Sequence, residues 1–358
     1  MRRTPALTLT AVAALAVLTG CVESGRGDDA SATSTNTTAT AADCPWKPDE
    51  SITTTARIAW QAIPNGDVIV KDQGILEACM PNATIEWKQA PSGGDVLKGY
   101  GSGDFDLGLM GSAPAARAAS APLVDQVDID VVWIHDVIGD AESLVAKDAT
   151  DVAGLKGKTI AVPFSSTAHY SLLQALGEAG LDPSTDVEVI NLEPEAMPGA
   201  WQGEIDAAWI WEPAQTQLLD AGGTRILSSA DTAKEGFPTF DVGTVDHAFA
   251  EANPEFLAQW IKAQDHAVAL IEDDPTAAAE SVAAVLGVSP EQATTQLGGL
   301  EFVSAADQAG PDYLGGQLGS DLFSTATFLL EQGEVEAVGD KQVYADHVSP
   351  SFAEAGAR

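Results

Sequence analysis

Short apolar runs that end in Gly-, Pro- or Ser-rich turns and lead into helix-like segments recur along this chain, and that alternation restricts its fold more than any other feature. Residues 57–60, 84–87 and 105–110 read as strands, with helices at 67–78 and 95–100 between them and another starting after 111–114. Residues 130–135 form a further strand. A second series then begins, with strands at 142–146, 159–162, 187–192, 207–211 and 225–227. Helical segments at 151–155, 167–178, 196–202 and 213–220 separate them. Such a rhythm argues for α/β lobes with mostly parallel sheets. The remainder is mainly helical, at 254–271, 274–286, 290–297 and 320–331, and the first three segments start on Pro or Asp, residues suited to a helix N-terminus. Breaks near 136–140 and 237–242 read as two crossings between lobes. One lobe comprises 44–137 and 240–358, the other 138–239. At 358 residues the chain exceeds what one ordinary core serves.

The N-terminal segment stands apart. Arg2 and Arg3 precede an apolar run over 6–18 that is too short to span a bilayer, followed by Leu18-Thr19-Gly20-Cys21. Residues 1–20 read as a secretory signal. The small residues before Cys21 resemble a bacterial lipobox, in which the cysteine becomes the lipidated first residue; a plain signal peptide is the alternative. Residues 21–43 then form a tether rich in Ser, Thr, Ala and Asp. No later apolar run is long enough for a transmembrane helix. Cys44 and Cys79 remain, and in an exported chain two cysteines favour one disulfide, the alternative being two buried thiols. With no histidine near them they cannot fill a tetrahedral zinc shell, and no metal or cofactor is expected. The formal charge of −36 repels nucleic acid and anionic headgroups, so neither is an expected partner.

Ligands of α/β sheets sit beyond the carboxyl ends of strands, where helix starts present free N–H groups and about half a positive charge. The turn Val162-Pro163-Phe164-Ser165-Ser166-Thr167 leaves a strand and enters a helix. Ser165, Ser166 and Thr167 offer three hydroxyls there, more than an ordinary N-cap needs. Tyr170 follows within the first turn. Gly111-Ser112-Ala113-Pro114 is a second such turn, with Ser112 placed for a cap or a ligand, and Pro91-Ser92-Gly93-Gly94 a weaker third. Trp60-Gln61 and Trp211-Glu212 lie at strand ends, where an indole face suits a short alkyl chain or an ammonium. Trp46, Trp87, Trp133 and Trp260 read as core. Asp136, Glu142, Glu212 and Asp241 fall at lobe edges or crossings and are candidate carboxylates for an amine. Nucleophile, zinc-protease and phosphate-loop motifs are absent from the sequence. Ser166 and His169 are three apart on a helix start, but no orienting acid is evident, so no enzyme activity is expected.

At these residues the chain resembles a known family. The run IAVPFSSTAHYSLL over 160–173, GSAP over 111–114, AWQ at 200–202 with IDAAWIWEPA from Ile205, and PTFDV over 238–242 are similar to the taurine-binding members of the sulfonate/nitrate/taurine importer family. The resemblance covers about 54–334. It implies a type II two-lobe periplasmic-binding fold with two crossovers and mixed sheets flanked by helices. It also implies a sulfonate held by hydroxyls and N–H groups, with aromatics and an acid near the amine. Carried onto this chain, that selects Gln61, Ser112, Ser166, Thr167, Tyr170, Trp211 and Asp241, with Glu142 and Glu212 at the edge. Ala113 and Ala168 depart from it, standing where relatives carry a further hydroxyl. The implied partners are the solute, an ABC permease and its ATPase, and the membrane through the lipid anchor. The implied place is the outer face of a Gram-positive cytoplasmic membrane, as a monomer. A binding protein for a quaternary amine, a ligand-sensing lipoprotein and a hydrolase acting through Ser166 and His169 are the alternatives.

Overall fold

The structure, a computed structural model, describes residues 44–356. The signal, Cys21 and the tether lie outside the described residues. Among the described residues eleven strands form two mixed sheets. The strands are β1 (Thr55–Trp60), β2 (Thr84–Gln89), β3 (Leu107–Gly111), β4 (Ile129–Ile138), β5 (Glu142–Ala146), β6 (Thr159–Val162), β7 (Glu188–Asn191), β8 (Ala207–Trp211), β9 (Thr224–Ser228), β10 (Phe240–Asp246) and β11 (Leu300–Glu301). The first sheet runs β11-β4-β10-β3-β1-β2 and the second β7-β6-β8-β5-β9. The chain leaves the first for the second between β4 and β5, at residues 139–141. It returns after β9 and the helix Ser229–Lys234, through residues 235–239.

The sheets are less parallel than the alternation predicts, and the crossings explain why. β1, β2 and β3 pair in parallel, as do β6, β7 and β8. β10 is antiparallel to β3 and β4, and β5 is antiparallel to β8 and β9. Each of these two strands starts at a crossing and runs away from it. β1, β3, β4, β6 and β8 instead end where the lobes meet. The junction therefore receives the carboxyl ends of the parallel strands and the amino ends of the two inserted ones, and at both kinds of end the backbone turns toward the gap.

Each lobe buries its own core. In the first, Ile58, Ile69, Leu76, Trp133, Phe256 and Trp260 are fully buried beneath the long helix Pro254–Asp273. In the second, Leu144, Ile160, Leu172, Leu176 and Trp209 pack under the helix Thr167–Glu178. The bounds of that helix, of β5, of β6 and of β8 coincide with those read from periodicity. Residues 67–78 are two helices, because Gly74 adopts φ 62° and ends the first, Gly66–Gln73, before Ile75–Cys79 begins. A Cys44–Cys79 disulfide ties the start of the described chain to that second helix. Among the described residues no helix is long and apolar enough to cross a membrane.

Candidate solute-binding cleft

A cavity lies between the lobes. The first lobe contributes Gln61, Ile63, Pro64, Gly93, Gly111, Pro114, Ile138, Asp241 and Leu300. The second contributes Glu142, Ser166, Thr167, Trp211 and Glu212, and Ala141 of the crossing completes the wall. Seven residues expected from the sequence are thus brought together: Gln61, Glu142, Ser166, Thr167, Trp211, Glu212 and Asp241. Close approach of the lobes depends on Gly111. A Cβ there would sit 2.5 Å from Cγ2 of Thr167, a distance that no methyl group tolerates. Beside the cavity, Gln89 Nε2 donates to Glu195 Oε1 across the gap at 3.2 Å.

The hydroxyls do not stand free, as the sequence suggested. Ser166 is the N-cap of the helix Thr167–Glu178. Its Oγ accepts from the His169 N–H at 3.1 Å and donates to the Pro163 carbonyl at 2.6 Å. Thr167 Oγ1 donates to Glu142 Oε2 at 2.6 Å, and Ser229 Oγ donates to Glu142 Oε1 at 2.6 Å. The donors left at this helix start are the backbone N–H groups of Thr167 and Ala168, which have no intrahelical partner. Those of Gly93 and Gly94, at the start of the helix Gly93–Ser102, stand in the same position. The third turn, rated weakest from sequence, therefore reaches the cavity through Gly93.

Five expected residues lie off the cavity. Trp60 precedes Gln61, and successive strand residues point to opposite faces. Gln61 thus faces the gap and donates to the Leu109 carbonyl at 3.0 Å, while Trp60 packs in the core with Lys71 Nζ 4.9 Å from its ring centroid. Ser112 is buried, and its Oγ accepts from the Phe240 N–H at 3.2 Å, fastening β10 to the Ser112–Ala118 helix. Ser165 takes φ 64° to make the tight turn that delivers Ser166 to its cap. Tyr170 turns toward the Gln317–Glu331 helix, meets Phe328 edge-on at 5.3 Å and accepts from Gln174. Asp136 is fully buried behind Asp241. The imagined Ser166–His169 pair does not form, since the His169 ring stacks on Phe164 at 4.7 Å.

Among the described residues the cavity wall holds three carboxyl groups, Glu142, Glu212 and Asp241, and no Lys or Arg. Glu212 caps the Ala214–Asp220 helix by accepting from the Thr216 N–H at 3.0 Å, and burial pushes its pKa up. Burial raises Glu142 to about 6, against the pull of the Ser229 and Thr167 hydroxyls. Burial raises Asp241 well above the carboxylate range, with Asp136 and Glu142 adding repulsion. Sequence reasoning missed Asn65 and Ser229, whose amide and hydroxyl serve Asp136 and Glu142. Ser229 follows Ser228 at a strand-to-helix junction, the same signal that marked Ser166. Asn65, inside Pro64-Asn65-Gly66, read only as a turn.

Two α/β lobes that share one cleft, lined by strand ends and helix starts, define a two-lobe solute-binding fold of the periplasmic type. More particularly, the chain belongs to the NMT1-like family, whose pattern matches residues 60–287. It is 35% identical over 278 residues to the taurine-binding periplasmic protein of Escherichia coli (strain K12), covering 75% of this chain and 84% of that one. The alkanesulfonate-binding protein SsuA from Xanthomonas axonopodis pv. citri, solved with MOPS bound, superposes with a TM-score of 0.67 at 23% identity. That match covers 85% of this chain and 99% of SsuA. The desulfurization enzyme DSZB shares the fold alone, with a TM-score of 0.60 at 17% identity over 85% of this chain and 99% of its own.

Proposed function

We propose that this chain is the extracytoplasmic solute-binding component of an ABC importer for taurine or a related aliphatic sulfonate. The observation that carries the reading is the polarity of the cavity: three acids and no cationic side chain on its wall, with two helix starts opening onto it. A plain anion meets net repulsion there. A zwitterion with a short spacer satisfies both ends, its ammonium against Glu142 and Asp241 and its sulfonate against the amides of Gly93, Gly94, Thr167 and Ala168. Trp211 covers the spacer. Similarity to the E. coli taurine-binding protein supports the same solute. A quaternary-amine solute is disfavoured because Trp211 is the one aromatic on the wall, too few for a cage.

In this reading the lobes, 44–138 with 240–358 and 139–239, Ile138 ending β4 of the first, open and shut about residues 139–141 and 235–239. The solute favours the shut form by bridging both. Lipidated Cys21 holds the protein on the outer face of the membrane, the tether lets it reach the permease, and the ATPase powers release. The chain acts as a monomer and performs no chemistry. A thermal-shift panel of taurine, ethanesulfonate, glycine betaine and nitrate tests the reading. A ligand at about 100 times its Kd adds about 2.7 kcal/mol of stability, and taurine is expected to give the largest shift. Equal shifts with ethanesulfonate would remove the ammonium from the argument, and a betaine shift alone would replace the solute class.

A further inference from the structure

Asp136 of β4 and Asp241 of β10 are direct cross-strand partners, so their side chains leave the same face of the sheet. Both are buried, at 0% and 5% exposure, and side chains at directly paired cross-strand positions have Cβ atoms about 4.5–5.5 Å apart. Two carboxylates that close, both out of water, repel, and one of them keeps a proton. What surrounds the pair keeps that proton in place. Asn65 Nδ2 approaches Asp136 Oδ2 at 3.4 Å, a neutral and long contact, and Asp136 Oδ1 has no hydrogen-bond partner. Glu142 of β5 faces the pair from the other lobe, and Glu212 shares the cavity wall with Asp241. His135, next along β4, points to the opposite face against Trp260. Among the described residues no lysine or arginine lines the cavity.

We infer that solute capture is coupled to release of the proton shared by Asp136 and Asp241, which makes Asp136, a residue off the cavity wall, a determinant of which solutes the cavity accepts. The inference rests on the amine-bearing solute proposed above. The balance is simple: the singly protonated pair and the solute cation give a doubly ionised pair holding that cation, and one proton passes to the buffer. An arriving ammonium supplies the charge that the empty wall lacks, and Asp241, the member that touches the cavity, receives it. Burial raises Asp136 to about 7, and the charge of Glu142 adds to the rise. A sulfonate without a cationic group cannot displace the proton and gains nothing from the pair. Asp136 is therefore a positioning residue that acts through the charge state of Asp241.

Titration calorimetry on the full chain, repeated in buffers of different ionisation enthalpy, reads the released proton directly. With taurine near neutral pH, release approaching one proton is expected, and affinity rises by up to tenfold per pH unit across the titration of the pair. Asp136→Asn leaves Asp241 beside a neutral amide, so release falls toward zero and the pH profile flattens; a merely structural role would weaken binding at every pH alike. Carbon-13 NMR of the aspartate carboxyl groups in the solute-free chain gives a second readout. Two coupled steps are expected, and Asp241→Asn collapses them to one. Tight taurine binding with no proton release overturns the coupling while leaving the solute reading intact. Both carboxyls titrating together in the ordinary carboxylate range overturns the pair itself. Taurine that fails to bind at any pH overturns the solute reading and with it the coupling.

Discussion

The two walls of the cleft hold their acids in opposite ways. On the second-lobe wall, Glu142 accepts one short hydrogen bond at each oxygen, and Glu212 accepts from both Gln215 and Thr216. On the first-lobe side the polar groups are under-satisfied. Asp136 Oδ1, Asp67 Oδ2, both ring nitrogens of His135, Gln264 Oε1 and Trp260 Nε1 lack a hydrogen-bond partner, and all are buried. His135 Nε2 and Asp67 Oδ2 stand 3.9 Å apart, too far for a hydrogen bond. A satisfied carboxylate is a fixed charge that holds geometry. An under-satisfied one costs stability and responds to whatever arrives. On the cleft wall the second lobe thus presents the better-satisfied acids, and the first lobe the less satisfied pair.

The disulfide offers the largest effect with which to break this contrast. It staples only the first lobe, closing 35 residues of sequence separation, and a loop of that size is worth about 4 kcal/mol in the chain-entropy account. Replacing Cys44 and Cys79 together by Ala is expected to lower stability by about that much in denaturant titration, with solute affinity nearly unchanged because neither residue lines the cavity. A large loss of affinity would mean that the first-lobe wall is held in shape by the staple. Glu142→Gln comes next. It exchanges a charge for an amide where two hydroxyls donate, and a hydrogen bond to a charged group is worth about 1.5–3 kcal/mol. Taurine affinity should fall by roughly tenfold to a hundredfold in calorimetry, more than for any single hydroxyl on the same wall.

Those expectations also mark what was legible in the residues. Backbone rhythm was readable because it is local: the β8 run AAWIW and the helix beginning at Thr167 carry their own signals in period, cap and turn. Which side of a strand end faces the gap was half readable. Alternation chooses between Trp60 and Gln61 but does not say which one wins, and the choice follows from which face of β1 the helix Gly66–Gln73 and its neighbours cover. The antiparallel insertion of β5 and β10 was not readable, because direction in a sheet is set by where a crossing enters it. The state of the hydroxyls was also hidden. Ser166 and Thr167 sit where the turn puts them, yet the partner of Thr167 is Glu142, 25 residues away in sequence, on the strand that enters the second lobe from the crossing.

Stability against pH separates the walls at a smaller scale. Burial raises Asp67 and Asp136 to about 7 and Glu142 to about 6, and it raises Asp241 as well. An acid whose folded pKa is raised contributes stability that is full below its unfolded pKa, near 4, and lost as pH climbs through the folded value. His135, lowered by burial to about 3, works the other way and loses stability as pH falls from its unfolded value toward 3. The raised acids, with Glu212 and Glu77 among them, outnumber the histidines that burial lowers, His135, His169 and His266, so the solute-free chain should melt at progressively lower temperature from about pH 5 to pH 7. Each uncompensated proton is worth about 1.4 kcal/mol per pH unit. Asp67→Asn should shallow that slope; an unchanged slope would place the proton elsewhere.

The smallest effect tests the set wall alone. Ser166→Ala removes an N-cap whose hydroxyl is already committed to Pro163 and His169, so it should cost about 1 kcal/mol in stability. Binding should change little, because the sulfonate is assigned to the amides rather than to this hydroxyl. Thr167→Val keeps the methyl that meets Gly111 and deletes one of the two donors to Glu142. Calorimetry should then show weaker taurine binding for Thr167→Val than for Ser166→Ala, although the two hydroxyls are neighbours in the chain. The reverse order would show that Ser166 Oγ leaves its cap to grip the solute, and the second wall would then be no more fixed than the first.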